Sequence, residues 1–261
     1  MKERTKKRAR AVETHTIWER VEPAVRPAPV PLSREAIVQT AIAIADAQGL
    51  AAVSLRNVGS ALGAGPMRLY GYMSTKEELL ELMVDAVYGE IVTGKPRSGD
   101  WRRALRSIGL ATRRAAERHP WFADLLGGRL HQGPNALAYW ERVLSTLSAA
   151  PGFEDIDAVL LAARTVNAYM IGAIRRELGE LRAERESGMN RAAWEAATSP
   201  YRERMIATGK FPTISRVGRE ATHRSKDFDV VFEQGLNWVL DGIAGRLGPG
   251  VSGRTVSDPR P

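Results

Sequence analysis

Between residues 33 and 90 apolar positions return at helical spacing four times, and the polar residues between these runs are of the kinds that start and stop helices. The first run begins at Ser33, whose hydroxyl suits an N-cap, carries Ile37, Ala41 and Ile44, and ends at Gln48 and Gly49 before apolar Leu50. The second begins at Ser54, places Leu55, Val58 and Leu62 on one side, and ends at Gly63, which takes positive φ without a Cβ penalty. A tight turn, Gly63-Ala64-Gly65, leads to Pro66, a residue suited to the first helical position. The third helix, Met67 to Tyr72, has room for barely two turns. Ser74 and Glu77 predict a capping box at the head of a fourth helix through Leu79, Leu80, Met83 and Val87.

From Trp101 onward the helical period continues and no strand-like alternation persists, so the fold class is all-α. Helices are expected at 101–118, 120–128, 133–149, 154–180, about 190–208 and 226–247, with Pro120, Pro134, Pro151, Pro200 and Pro212 at starts or breaks. Segment 154–180 has Val159, Ala163, Val166, Met170 and Ile174 on one stripe and Leu160, Asn167 and Ile171 on the next. The last segment repeats the pattern with Phe228, Phe232, Gly235, Leu236, Val239, Leu240, Ile243 and Leu247. Both faces are wider than one neighbour needs, which suits a four-helix dimer interface, with burial inside one chain as the plainer alternative. Residues 181–225, opening with Glu180, Arg182, Glu184, Arg185 and Glu186, are expected to be a mobile surface loop plus one helix.

Composition narrows the function classes. The 261 residues include no cysteine, which excludes disulfides, thiolate nucleophiles and Cys-based zinc sites. Formal net charge is +8, which favours a polyanionic partner. The charge is uneven: residues 1–10 hold Lys2, Arg4, Lys6, Lys7, Arg8 and Arg10 against Glu3. Pro23, Pro27, Pro29 and Pro31 then keep the chain extended, so 1–32 reads as a flexible basic arm, either following the phosphates of a polyanionic partner or serving as a solvated tail. The boundaries that follow are the arm 1–32, a domain of short helices 33–92, a larger helical domain 93–250 and a disordered tail 251–261. The charged N-terminus has no signal-peptide pattern, and the most apolar stretch, Ala158 to Ile174, is interrupted by Arg164 and Asn167. A cytoplasmic protein without a membrane partner is expected.

A helix, a tight turn and a very short second helix form a unit that can place side chains in a DNA groove. The run "SLRNVGSALGAGPMRLYGYMSTKEELLELMVDAV" resembles the N-terminal DNA-binding domain of the TetR family of bacterial transcriptional regulators. Its family elements are Leu62-Gly63-Ala64 at the turn, Leu69-Tyr70-Gly71-Tyr72 in the recognition helix and Lys76-Glu77-Glu78-Leu79 opening the fourth helix. Tyr72 stands where the family usually has His, and a phenol can still donate to a phosphate. The resemblance implies DNA contacts from Arg56, Pro66, Met67, Arg68, Tyr70, Gly71, Tyr72 and Lys76, with Leu69 turned into the core. Arg68 suits a bidentate contact to guanine, and Lys76 a phosphate. One short helix meets few bases, so a homodimer on a palindromic operator is expected.

"HPWFADLL", "GPNAL" and "YRERMIATGKFPTI" resemble the C-terminal domain of tetracycline repressor-like proteins, which implies a small-molecule effector held between helices and a fourth helix that moves as a lever. Residues combining apolar bulk with a polar tip are His119, Trp121, Phe122, Asn135, Tyr139, Trp140, Asn167 and Met170, each with plain core packing as the alternative. His119, before Pro120, is expected to cap a helix end. An enzyme is disfavoured. There is no GxSxG elbow and no His-Glu-x-x-His, "GAGPMR" breaks the dinucleotide fingerprint, and His15, His119, His131 and His223 are scattered. No cofactor or metal is expected. The sequence therefore reads as a ligand-released repressor, with a ligand-enhanced activator or a small-molecule-binding helical protein without DNA activity as alternatives.

Overall fold

In a computed structural model, which describes residues 16–20, 22, 32–92, 100–128, 131–221 and 227–247, the chain is helical, with no strand among those residues. The basic run 1–10, the Pro-rich stretch 23–31 and the tail 251–261 lie outside the described residues. Two compact units divide the chain, Met1–Met83 and Val84–Pro261. The division falls inside the fourth helix rather than after residue 92.

The first unit is assembled by local capping chemistry. Helix α1, Arg34–Gln48, starts where the Ser33 hydroxyl accepts the Ala36 amide at 3.1 Å and stops at Gly49, whose φ of 80° would strain any side-chain-bearing residue. Helix α2, Leu55–Ala61, starts in the same way from Ser54, which accepts the Asn57 amide at 3.1 Å. Each such cap stabilises its helix by about 1 kcal/mol. Helix α3 is Pro66–Leu69, shorter than the sequence period suggests, because Tyr70 to Tyr72 turn away at Gly71 to lead into α4. Ile37, Ala41, Val58, Leu69 and Met73 form the core between these helices.

Helix α4, Lys76–Ile91, begins one residue later than the sequence suggests. Thr75, not Ser74, accepts the Glu78 amide at 3.1 Å, and the Glu78 carboxylate returns to the Ser74 amide at 2.6 Å. Glu77 therefore does not close the box. Glu78 is chosen because it is also held by Arg20, whose two terminal nitrogens donate to its oxygens at 2.8 and 2.7 Å. Burial raises the Glu78 carboxyl, but Arg20 and the Ser74 amide outweigh it and hold the group below the usual glutamate range. Residues Thr16 to Arg20 are thus docked on this unit: Ile17–Glu19 is a single 3-10 turn with Ile17 buried, and Glu22 accepts the Arg34 amide at 2.7 Å. Of the expected arm 1–32, these contacts involve residues 16–20 and 22; residues 1–15, 21 and 23–31 lie outside the described residues.

The second unit is a bundle of α5 (Trp101–Arg118), α6 (Pro120–Leu125), α7 (Pro134–Ser148), α8 (Ile156–Ser187), α9 (Arg191–Ala207), α10 (Pro212–Glu220) and α11 (Phe228–Arg246). Helix α8 is its axis, packed against α5, α6, α7 and α11 through Val159, Ala163, Val166, Met170 and Ile174. Its length and mean hydropathy alone would let it cross a membrane, yet it carries Arg175, Arg176 and the buried Glu177. Gly235 on α11 leaves room for Tyr169, whose hydroxyl donates to the Phe232 carbonyl at 2.9 Å; a Cβ at 235 would lie 2.2 Å from the Tyr169 hydroxyl oxygen and displace it.

Three expectations for 181–225 change. Helix α8 runs on to Ser187, and a second helix, α10, follows α9, so the segment is no loop with a single helix. Pro200 lies inside α9 rather than at a start or break, whereas Pro212 starts α10 as expected. No residue of α9 or α10 is buried, so losing one backbone bond at Pro200 disturbs no core.

Candidate functional site

The turn between α2 and α3 is held by glycine. The Ala64 amide donates to the Gly59 carbonyl at 2.8 Å, and a Cβ on Gly59 would sit 2.8 Å from the Ala64 carbonyl oxygen, which is backbone and cannot swing aside. Gly63 reverses the chain at φ 61°. Sequence reasoning found Gly63 and passed over Gly59, four residues earlier on the inner face of α2. With Leu69 fully buried as the anchor, α3 turns Met67, Arg68 and Tyr70 outward, Met67 at 80% and Tyr70 at 50% exposure. Pro66, Gly71 and Arg56 are exposed as well. A wholly exposed Met beside an Arg and a Tyr, on a helix fixed at its root, is a surface that offers apolar contact, a planar fork of donors and a phenol together.

Two expected contact residues are placed differently. Tyr72 is 7% exposed, and its hydroxyl donates to the Leu32 carbonyl at 2.5 Å. The phenol thus ties the chain entering α1 to the end of the helix-turn-helix, and its donor is spent inside the protein rather than turned to a phosphate. Lys76 donates to the Leu50 carbonyl at 3.2 Å, which aims its ammonium at the turn after α1 and leaves two further protons to donate.

The expected effector residues fall into two overlapping groups within the second unit. Tyr139, Trp140, Asn167 and Met170 join Leu105, Ile108, Val143, Ala163 and Val166 around a narrow gap between α5, α7 and α8. It is too constricted to admit a water molecule. The surface that faces it is apolar. Burial pushes the Tyr139 phenol up to about 12, against a hydrogen bond with Thr112, so it stays a neutral donor at any physiological pH.

His119, Trp121, Phe122, Asn135 and again Tyr139 gather with the C-terminal half of α4. Tyr88 meets Phe122 edge-on at 5.4 Å and Tyr139 at 5.1 Å. Asn135 donates to Asp85 at 3.0 Å, while the His119 ring lies 3.2 Å from Glu90 and 5.9 Å from Trp121. His119 is the C-cap residue of α5 and the N-cap residue of α6, as expected; its side chain makes no cap bond to α6, and the ring lies against Glu90 of α4. Asp85 and Tyr88 carry no local signature that marks them. Neither group of titratable residues has metal-binding geometry among the described residues.

Comparison with known proteins agrees with this arrangement. The family model described as "Tetracyclin repressor-like, C-terminal domain" matches residues 93–247. The chain is 35% identical over 215 residues to the HTH-type transcriptional repressor DrrR1 of Streptomyces coeruleorubidus, covering 81% of this chain and 77% of that one. It is 32% identical over 232 residues to an HTH-type transcriptional regulator of Saccharopolyspora erythraea, covering 89% and 92%. Among solved structures, apo ActR of Streptomyces coelicolor superposes with a TM-score of 0.71 at 26% identity, over 85% of this chain and 99% of that one. ActR in complex with actinorhodin gives 0.69 at 26% identity, over 84% and 100%. A glycine-locked helix-turn-helix bearing an exposed Met-Arg-Tyr face, followed by a helical bundle of this kind, makes the chain a member of the TetR family of helix-turn-helix transcriptional regulators.

Proposed function

We infer that this regulator is a repressor that holds a palindromic operator as a homodimer in the cytoplasm and releases it when a small, largely apolar molecule enters the second unit. The exposed face of α3, anchored by buried Leu69, carries the reading: it spends no side chain on the core except the anchor and presents its Arg and Tyr to solvent. Arg68, Tyr70, Met67 and the flanking Pro66 and Gly71 meet base edges and the nearest backbone, and Arg56 and Lys76 reach phosphates. Tyr72 positions the unit and touches no DNA.

Dimerisation is supported by the exposed apolar side chains of α8 and α11, where Trp238 is 78% exposed near Leu161, and Ile156 and Val230 are exposed further along the same helices. Apolar surface of this kind on two adjoining helices matches a four-helix interface. The effector reading is supported by the apolar lining of the gap between α5, α7 and α8 and by the ligand-bound state of ActR. The gap must widen to take a ligand, which links binding to movement of α5, α7 and α8.

Linkage supplies the test. A compound that stabilises the protein in a thermal-shift screen of apolar aromatic molecules is expected to weaken binding to a duplex selected by the protein, and the duplex to weaken the compound by the same factor, about 5- to 150-fold. Compounds that bind tightly yet leave duplex affinity unaltered contradict release by ligand; compounds that tighten it make the chain a ligand-enhanced binder.

A further inference from the structure

Helix α7 begins without a cap of its own. Gly133 is its N-cap residue and has no side chain to accept the first amides, and Pro134 removes one of them. The missing acceptor comes from another helix. Asp85 of α4, 3% exposed, accepts the Ala136 backbone amide at 2.8 Å and the Asn135 side-chain amide at 3.0 Å. The carboxylate occupies the place a Ser or Asp N-cap would fill, delivered across the helix–helix contact. One turn later on α4, Gly89 makes room: a Cβ there would lie 3.1 Å from the Asn135 amide nitrogen. Between them Tyr88 packs on Tyr139, which sits in the second turn of α7 and lines the gap together with Trp140 and Val143.

Burial drives the Asp85 carboxyl upward, while the Ala136 and Asn135 donors draw it back. A desolvated carboxylate is costly to keep unless it is bonded, so the joint has two states, made or broken, with little between. Helix α4 is continuous from Lys76 in the first unit to Ile91 in the second. Whatever shifts the first turn of α7 therefore acts on Asp85, which lies on the same helix as Lys76 and Leu79.

We propose that the Asp85 carboxylate, bonded to the first turn of α7, is the joint that sets operator affinity from the second unit. Asp85 is a positioning residue: it reads the α7 wall of the gap and acts through α4, touching neither DNA nor effector. The proposal rests on the DNA-binding reading above and deepens it.

The test uses the full chain and a duplex enriched by the wild-type protein from a random library, with Kd measured by fluorescence anisotropy well below the melting temperature. Asp85→Asn keeps the shape but turns an amide nitrogen against the Asn135 amide, and is expected to raise Kd at least tenfold. Adding Asn135→Asp restores donor to acceptor across the same pair, and the double variant is expected to return to within threefold of wild type. A purely local role would lower the melting temperature of Asp85→Asn and leave Kd unchanged, since the first unit is built separately; that result overturns the proposal. A double variant as weak as the single one overturns it too. Should Asp85→Asn fail to fold, Asn135→Ala removes one donor and keeps the Ala136 amide, and is expected to weaken binding about threefold; wild-type affinity there is again contrary. If the wild-type chain enriches no duplex, the DNA-binding reading itself has failed, and the joint falls with it.

Discussion

Replacing Arg68 or Tyr70 by alanine is expected to abolish specific operator binding while leaving fold and dimer intact. Both side chains leave α3 toward solvent, and the helix is anchored by Leu69 and started by Pro66, so truncation removes contact without removing core. A good bidentate base contact discriminates by about 1–3 kcal/mol, and a two-fold dimer makes it twice, so loss of Arg68 is worth about 2–6 kcal/mol, or roughly 30-fold to 10⁴-fold in Kd. Residual binding should be nonspecific and strongly salt-dependent, because phosphate contacts from Arg56 and Lys76 persist. Anisotropy titrations at two salt concentrations, with size-exclusion chromatography for the dimer, check both halves; wild-type affinity in either variant would remove α3 from the interface. Tyr72→Phe gives the opposite pattern, losing the Leu32 bond inside the protein and no base contact.

Arg113→Ala is expected to be the most destabilising single change in the second unit. The Arg113 guanidinium is buried among α5, α8 and α11, donating to Glu177 at 2.7 and 2.8 Å, pairing with Asp229 and Glu117, and lying 5.5 Å from the Phe232 ring centre. The hydrogen bonds that Arg113 donates to Glu177 come first among the causes that hold it firmly protonated. Glu177 is itself buried, with 8% of its side chain exposed, so removing the arginine strands a carboxylate in an apolar groove. Breaking a buried pair by deleting one partner costs about 3–5 kcal/mol. For a unit of this size that is a fall in melting temperature of roughly 6–20 °C. Replacing both partners, Arg113→Met with Glu177→Leu, should recover most of the loss, since well-packed apolar pairs often match buried ionic ones. A single variant that melts within 2 °C or so of wild type would mean the pair is solvated in practice.

What could be read in the sequence was what local chemistry fixes. Ser33, Ser54, Pro66 and Pro134 start helices wherever they occur with a free first turn, so the edges of α1, α2, α3 and α7 were legible, as was the inward turn of Leu69. The stripe Val159 to Ile174 showed α8 as a core helix for the same reason: burial follows period. What failed was set by partners distant in the chain. Tyr72 is buried because the Leu32 carbonyl, 40 residues earlier, needs its hydroxyl. Glu78 displaced Glu77 at the head of α4 because Arg20 lies 58 residues back. Asp85 and the Arg113–Glu177 pair have no neighbours in sequence that announce them. Of the eight residues expected around an effector, four line the gap between α5, α7 and α8 and the rest, with Tyr139 common to both, brace α4. Aromatic bulk with a polar tip marks buried junctions in general and does not separate these two roles.

Selection of duplexes from a random library by the wild-type protein, followed by sequencing of those retained, decides whether α3 reads DNA as a two-fold pair. An inverted repeat is predicted, its half-sites roughly 34–36 Å apart centre to centre, with a guanine in each half whose enrichment disappears when Arg68→Ala is used for the selection. Retention of no duplex, or of a single unrepeated motif indifferent to Arg68, would contradict it.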